Sequence, residues 1–296
     1  MELFEGYVSS NGLKLYCKYL PSGNKPPIVL IMGLSFQMTT WPDSLIHLLH
    51  ENDFPVLIFD NRDIGLSEKI SSEPIHFLPL SFLQFVLGFK IESPYTLYDM
   101  ANDTIGLLDY FQISKAHLLG MSMGGMISQI IAAQSPSRVE SLNLLSTTDN
   151  SPHSLPPSPE MLWRLIGSGI SGHDKDSAIE RIFLVYKSIR SKAFYEKDEV
   201  VLEKIERGFH RSYSPDGAIR QIYAILSSPN LQNLHSKISC PTRILHGDSD
   251  PLIHNSAAKR LAKSIPGAEL KILEGYAHDI PSGLVPILYE YFFKDR

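Results

Sequence analysis

The chain is poor in cysteine, in basic charge and in long apolar runs, and each shortage excludes a class of protein. Two cysteines in 296 residues, Cys17 and Cys240, are too few for a disulfide framework and fit a reduced compartment, with room for one bridge at most. A net charge of -5 offers no positive surface to hold a phosphate backbone, so nucleic acid is not an expected partner. No stretch reaches the roughly 18 apolar residues that span a bilayer. The opening Met1-Glu2-Leu3-Phe4-Glu5 has neither the basic region nor the apolar core of a secretory signal, which makes cytoplasmic the expected location. HExxH, CxxC and glycine-rich phosphate loops are missing, and His173, Asp174 and Asp176 lack ligand spacing. No metal or cofactor is therefore expected.

What the chain does have is a large apolar fraction, 43%, over a length that suits one α/β domain carrying an insertion. Its most informative stretch is Leu118-Leu119-Gly120-Met121-Ser122-Met123-Gly124-Gly125. The apolar run from Ala116 to Leu119 predicts a buried strand, and Met126, Ile127, Ile130 and Ile131 have helical spacing, so Ser122 falls on a strand-to-helix turn. A turn this tight forces the serine into an unfavourable backbone conformation and leaves no room for side chains two positions away on either side, hence glycine at 120 and 124. The helix that follows aims free amides and its positive dipole end at the spot where an oxyanion forms during acyl transfer.

Around this stretch the chain reads as alternating strands and helices. Tyr7–Ser9 and Leu13–Tyr19 flank the turn dipeptide Asn11-Gly12 and predict a hairpin. Ile28–Ile31 and Val56–Phe59 are short all-apolar runs of the kind buried on both faces, with a helix between them from Trp41-Pro42-Asp43 to His50. The loop Met32-Gly33-Leu34-Ser35 leaves the first of these strands at its carboxyl end, where open α/β sheets build their sites. The amide of Leu34, with that of Met123, is assigned to an oxyanion hole. Asp60-Asn61-Arg62-Asp63 is read as a structural ion-pair knot rather than a catalytic set. Residues 77–89, with four phenylalanines, predict an extra packed helix; lining of an acyl pocket and contact with a membrane surface are the less favoured readings. A helix from Tyr98 to Phe111 and a strand from Val139 to Leu145 follow. Ser151 to Pro159 then has linker composition, and from Met161 to about Leu234 the apolar spacing is helical, as expected for a cap that excludes water and selects substrate. Strand character returns at Pro241–Leu245, so the expected division is a core of residues 1–147 and 236–296 around a cap of residues 148–235.

A serine nucleophile needs a base and the base needs an orienting acid. His278 follows the strand-like run Glu269–Leu273 in Glu274-Gly275-Tyr276-Ala277-His278 and is the chosen base. Asp250, in His246-Gly247-Asp248-Ser249-Asp250-Pro251, is the chosen acid. Asp248 is better placed to bond turn amides, and Asp149 ranks third. The order Ser122, Asp250, His278 is that of hydrolases built on a strand-turn-helix serine.

In these residues the chain resembles the α/β-hydrolase superfamily over nearly its whole length. Met32-Gly33, Trp41-Pro42, Asp60 to Ser67 and Gly275-Tyr276-Ala277-His278-Asp279-Ile280-Pro281 are similar to the aclacinomycin methylesterase-like branch. The sequence departs from the common pattern at Met32, where many relatives have histidine, and at Ala277, where glycine is usual. The resemblance implies a mostly parallel eight-stranded sheet flanked by helices, a helical cap after the sixth strand, and Ser122, Asp250 and His278 as nucleophile, acid and base. It also implies a cofactor-independent hydrolase acting on a small-molecule carboxylic ester. Lactonase, thioesterase, carbon-carbon bond hydrolase and perhydrolase activities use the same triad, and a ligand-binding protein on the same fold is the non-enzymatic rival. The oligomeric state is not written in the sequence.

Overall fold

The computed structural model describes residues 2–21, 23–72, 78–152, 154, 161 and 175–295. Eight strands form one sheet: β1 (Phe4–Ser10), β2 (Leu13–Leu20), β3 (Ile28–Ile31), β4 (Val56–Phe59), β5 (Ala116–Met121), β6 (Val139–Leu145), β7 (Thr242–Gly247) and β8 (Glu269–Leu273). Their spatial order is β1-β2-β4-β3-β5-β6-β7-β8. The first hairpin turns at Asn11 and Gly12, both at positive φ (48° and 80°), the combination that matches the twist of the flanking strands. β2 joins β4 antiparallel, and every later pairing is parallel.

The parallel strands β3 to β6 are buried on both faces by helices, which is why β3 and β4 read as unbroken apolar runs rather than alternating ones. One face packs against α3 (Leu97–Tyr110) and α4 (Met123–Gln134), and the other against α1 (Asp43–Glu51) and the C-terminal helix Val285–Phe292. α3 starts on a capping box, the Thr96 hydroxyl accepting from the Asp99 amide while the Asp99 carboxylate accepts from the Thr96 amide. Cys17 and Cys240 are buried free thiols, so the single bridge left open by the sequence is not formed.

Between β4 and α3 lies α2 (Leu78–Val86), the extra helix expected in the phenylalanine-rich stretch. Between β6 and β7 lie α5 (Lys175–Ile189), α6 (Asp198–Arg211) and α7 (Pro215–Ser227). Much of the linker expected at 151–159 falls outside the described residues, as do the first part of the helical stretch and His173 and Asp174. The chain is back against the sheet's helices by Leu231, whose amide donates to the Asp149 carbonyl at 2.8 Å, and His235 then bonds Gln129 at 2.9 Å. α8 (Ser256–Ser264) links β7 to β8, and the C-terminal helix is α9. Among the described residues, no helix is long and apolar enough to cross a membrane.

The topology fixes where a site forms. The chain leaves β3 toward β4 on one side and later returns to place β5 on the other, so the loops leaving β3 and β5 diverge and open a crevice at the strands' carboxyl ends. In register, Ile31 pairs Gly120, Gly120 pairs Leu144, and Leu145 pairs Leu245, so the ends of β3, β5, β6 and β7 finish on one edge.

Candidate active site

Ser122 is the first residue past β5 and the N-cap of α4, with φ 53° and ψ -120°. Its side chain makes no capping bond, so the hydroxyl is left for another partner while the backbone is held in a strained region. Tight packing enforces the bend. A Cβ on Gly120 would come within 2.3 Å of the Gly124 carbonyl oxygen, and one on Gly124 within 2.0 Å of the Ile31 carbonyl oxygen. The Ser122 carbonyl accepts from the amides of Gly125 (2.9 Å) and Met126 (3.2 Å) and from the Thr147 hydroxyl (2.6 Å), pinning the turn from both sides. Helix geometry leaves the Met123 amide, at the first helical position, without an intrahelical acceptor.

Gly33 and Leu34 leave β3 beside the serine: a Cβ on Gly33 would lie 3.2 Å from the Ser122 Cβ. Ser35, at φ 62°, turns the loop away, and its amide donates to Gln221 Oε1 at 2.9 Å. The Asn61 amide holds the Met32 carbonyl at 2.9 Å. Nothing in the local sequence marked Gln221 as a support for this loop; it lies 186 positions away on α7.

Asp250 and His278 meet. His278 Nδ1 is 2.7 Å from Asp250 Oδ2, and both side chains are buried. Asp250 Oδ1 accepts from the amides of Leu252 (2.8 Å) and Ile253 (2.9 Å), so the carboxylate is fixed at both oxygens. Because Nδ1 faces a carboxylate, it carries the proton, which leaves Nε2 as the basic nitrogen. A second histidine flanks the acid. His246 Nε2 lies 2.8 Å from the Ile253 carbonyl and 3.4 Å from Asp250 Oδ2, and so it carries a proton on that nitrogen. Burial pushes the His246 pKa down, keeping the ring neutral. The sequence offered His246 in the same turn as Asp250, and only the folded geometry separates its role from that of His278.

The rival acids have other duties. Asp248 is exposed and accepts from the Gly275 amide at 2.8 Å, the turn role expected of it. Asp149 is clamped by Arg260 at 3.0 and 3.2 Å. Burial opposes its ionisation, but the Arg260 pair together with the bonds from the Thr148 hydroxyl and the Ser151 amide holds the carboxyl below its usual range.

The loop carrying His278 is sewn to the end of α5. The His278 amide donates to the Ile189 carbonyl (3.0 Å), the Ala277 amide to Ser191 Oγ (2.9 Å), and the amides of Lys192 and Ala193 to the Gly275 carbonyl (3.1 and 3.2 Å). Ser191 in turn gives its hydroxyl and its amide to the two carboxylate oxygens of Asp279. Burial pushes the Asp279 pKa up, with the Ser191 bonds pulling against it. Ser191 carried no signal in the sequence.

Ser122, His278, Gly33 and Leu34 all open onto one cavity of about 400 Å³ between the sheet edge, α2, α5 and α7. Its described lining is apolar apart from hydroxyl and amide groups and two histidines, His254 and His278. Of the five residues the sequence singled out, the structure brings Asp250 and His278 into contact, sets Ser122, His278 and Leu34 on one cavity, and places Met123 directly after Ser122 at the start of α4. No group of three or more His, Cys, Asp or Glu among the described residues is placed to hold a metal.

Comparison with known proteins agrees with the geometry. A family model described as alpha/beta hydrolase fold matches residues 26–172. Over 292 residues the chain is 22% identical to a rhodomycin D methylesterase from Streptomyces peucetius, covering 93% of this chain and 92% of that protein. It is 29% identical over 206 residues to a poly(3-hydroxyalkanoate) depolymerase from Ectopseudomonas oleovorans, covering 69% and 70%. A solved structure of a hydrolase from Pseudomonas aeruginosa PA01 matches with a TM-score of 0.74 at 23% identity, covering 98% of each chain. A sheet of this order, read with a family model that starts just before β3 and runs on past β6, gives the chain the α/β-hydrolase fold.

Proposed function

We propose that the protein is a cofactor-independent serine hydrolase that cleaves a small-molecule carboxylic ester through an acyl-enzyme on Ser122. The observation that carries this reading is the 2.7 Å contact between His278 Nδ1 and Asp250 Oδ2, made beside a cavity that Ser122 and His278 share. His278 Nε2 takes the Ser122 proton as Oγ attacks the ester carbonyl, and the amides of Leu34 and Met123 receive the oxyanion. The intermediate collapses, the alcohol leaves with the proton from His278, and the acyl group stays on Ser122. Water then gives a proton to His278 and its hydroxide to the acyl carbon, the acyl–Oγ bond breaks, and Ser122 Oγ takes the proton back from His278 as the carboxylic acid departs.

Residues 148–235 act as a cap in this scheme, with α5 and α7 forming the wall opposite the sheet edge and keeping bulk water from the acyl-enzyme. The methylesterase and the depolymerase among the relatives support a hydrolase reading. Ser122→Ala is expected to cut turnover of p-nitrophenyl acetate by at least about a thousandfold, with the thermal midpoint unchanged. Undiminished turnover in that variant rejects the assignment.

A further inference from the structure

α2 has a division of faces that the chemistry above does not use. Leu78, Phe82, Phe85 and Val86 line the cavity that holds Ser122. Leu78 packs with Tyr223 and Leu226 of α7, and Phe82 and Phe85 rest against the same cluster beside Ile219 and Ile222. The phenylalanine-rich stretch therefore forms, together with α7, one apolar wall of the cavity. At the far side the wall is completed by Val185 and Ile189 of α5 and by Leu252 and Ile253 past β7.

None of the described residues lining this cavity is Asp, Glu, Lys or Arg. Several of the polar groups on the wall are already engaged. Asn150 gives its amide to the carbonyls of Ile225 and Ser228, both at 2.9 Å, and His254 Nδ1 pairs with Ser256 Oγ at 2.9 Å. Arg260 reaches the wall only through the Ser154 hydroxyl, and its guanidinium is taken up by Asp149. A carboxylate or phosphate deep in this space would lose its water and find no Lys or Arg among the described lining residues, whereas methylene or ring carbon would be transferred from water into apolar contact.

Resting on the hydrolase reading of Ser122, we infer that the substrate is a neutral ester whose acyl part is a large uncharged apolar group, held against the Phe82–Phe85 face of α2. The site discriminates against acyl groups that carry a charge at the far end. α2 is thereby a specificity element of the site, its inner face reading the acyl group and its outer face, with Leu80 and Leu83, taking no part.

Three esters sharing one leaving group test this: p-nitrophenyl acetate, p-nitrophenyl octanoate and the mono-p-nitrophenyl ester of suberic acid, an eight-carbon chain ending in a carboxylate. For the wild type, kcat/KM for octanoate is expected to exceed that for acetate and that for the suberate monoester by about tenfold or more. In Phe82→Ala/Phe85→Ala the octanoate-to-acetate ratio should fall about tenfold, a ratio that does not depend on how much of the sample is folded. Leu83→Ala, on the outer face, should leave that ratio where it was. Equal rates for octanoate and suberate, or no preference for octanoate over acetate, overturn the proposal while leaving ester hydrolysis standing. A second arm does not depend on turnover: Ser122→Ala titrated calorimetrically with methyl octanoate and with monomethyl suberate, whose free carboxylate lies at the far end, should bind the first alone. Failure of all three esters to react, with methyl octanoate still bound and weakened by the α2 substitutions, sinks the hydrolase reading and with it the substrate assignment, leaving α2 as an apolar binding face only; failure of methyl octanoate to bind overturns the inference itself.

Discussion

Asp250 shows how much of the chemistry rests on which atom faces which. Its Oδ1 is held by two amide donors, at 2.8 and 2.9 Å, and its Oδ2 faces His278 Nδ1 at 2.7 Å. In Asp250→Asn the side-chain oxygen stays with the two amides, which can only donate, so the NH₂ group turns toward His278. It then donates to Nδ1, forcing the ring proton onto Nε2, where the base needs a free lone pair. The expected result is a fall in kcat of about ten-thousandfold with circular dichroism and thermal midpoint close to wild type. A kcat within tenfold of wild type would show that the carboxylate does not set the tautomer. Asp149 carries a different prediction. Its folded pKa is depressed, so its contribution to stability is complete above the unfolded value of about 3.9 and is lost as pH falls through the lower folded value. Asp149→Asn should lower the thermal midpoint at neutral pH and narrow its gap to wild type progressively below about pH 4; a gap constant down to pH 2 would contradict the pairing with Arg260.

At the scale of elements, the base loop depends on a segment that belongs to the insertion. Ser191 and its neighbours take up the amides of Ala277 and His278 and donate to Asp279 and Gly275, so the end of α5 holds the loop from several points. Asp279→Ala leaves the Ser191 amide without its acceptor and frees the hydroxyl that orients Ala277. The expected outcome is a loss of about 1–3 kcal/mol in stability and a fall in kcat larger than any change in KM, with Asp279→Asn recovering most of both because it keeps an acceptor toward Ser191. Equal changes in kcat and KM would mean that the loop holds the cavity wall rather than the base. These bonds were not legible in the sequence, and the contrast with what was legible has a physical cause. β3 and β4 announce themselves because burial on both faces demands four consecutive apolar residues, and the serine bend because carbonyl oxygens 2.0–2.3 Å from a would-be Cβ admit only glycine at 120 and 124. Both are local requirements written in adjacent residues. The partnership of Ser191 with Asp279, 88 positions apart, leaves no such mark, since serine and aspartate are ordinary loop residues until the fold brings them together. The same holds for residues 77–89, where composition predicted a packed helix and left its contact with the cavity among several readings.

On the scale of the whole molecule, the run Asp60-Asn61-Arg62-Asp63 joins the insertion to the sheet. The sequence suggested a structural ion-pair knot. The role is structural, but the partners are distant in sequence: Asp60 pairs with Arg211 of α6 (2.7 Å), Arg62 with Asp103 of α3 (2.6 Å), and Asp63 with Arg220 of α7 (2.9 and 3.0 Å). Adjacent charges at a strand's end thus fan out to three helices, two of which follow β6 and one of which bears the cavity residues Ile222, Ile225 and Leu226. Asp63 and Arg220 are both buried, so the desolvation already suffered by each is offset only while the other is present. Asp63→Asn, which suits the positive φ of 72° at this position, leaves a buried guanidinium with no counter-charge and should cost about 3–5 kcal/mol in urea unfolding. Adding Arg220→Met, which removes the stranded charge and keeps apolar volume, should recover much of that loss, so the double variant should be more stable than Asp63→Asn alone. Strictly additive losses would mean that the two groups do not act as a pair, and the attachment of α7 would then rest on Gln221 and the apolar contacts beneath it.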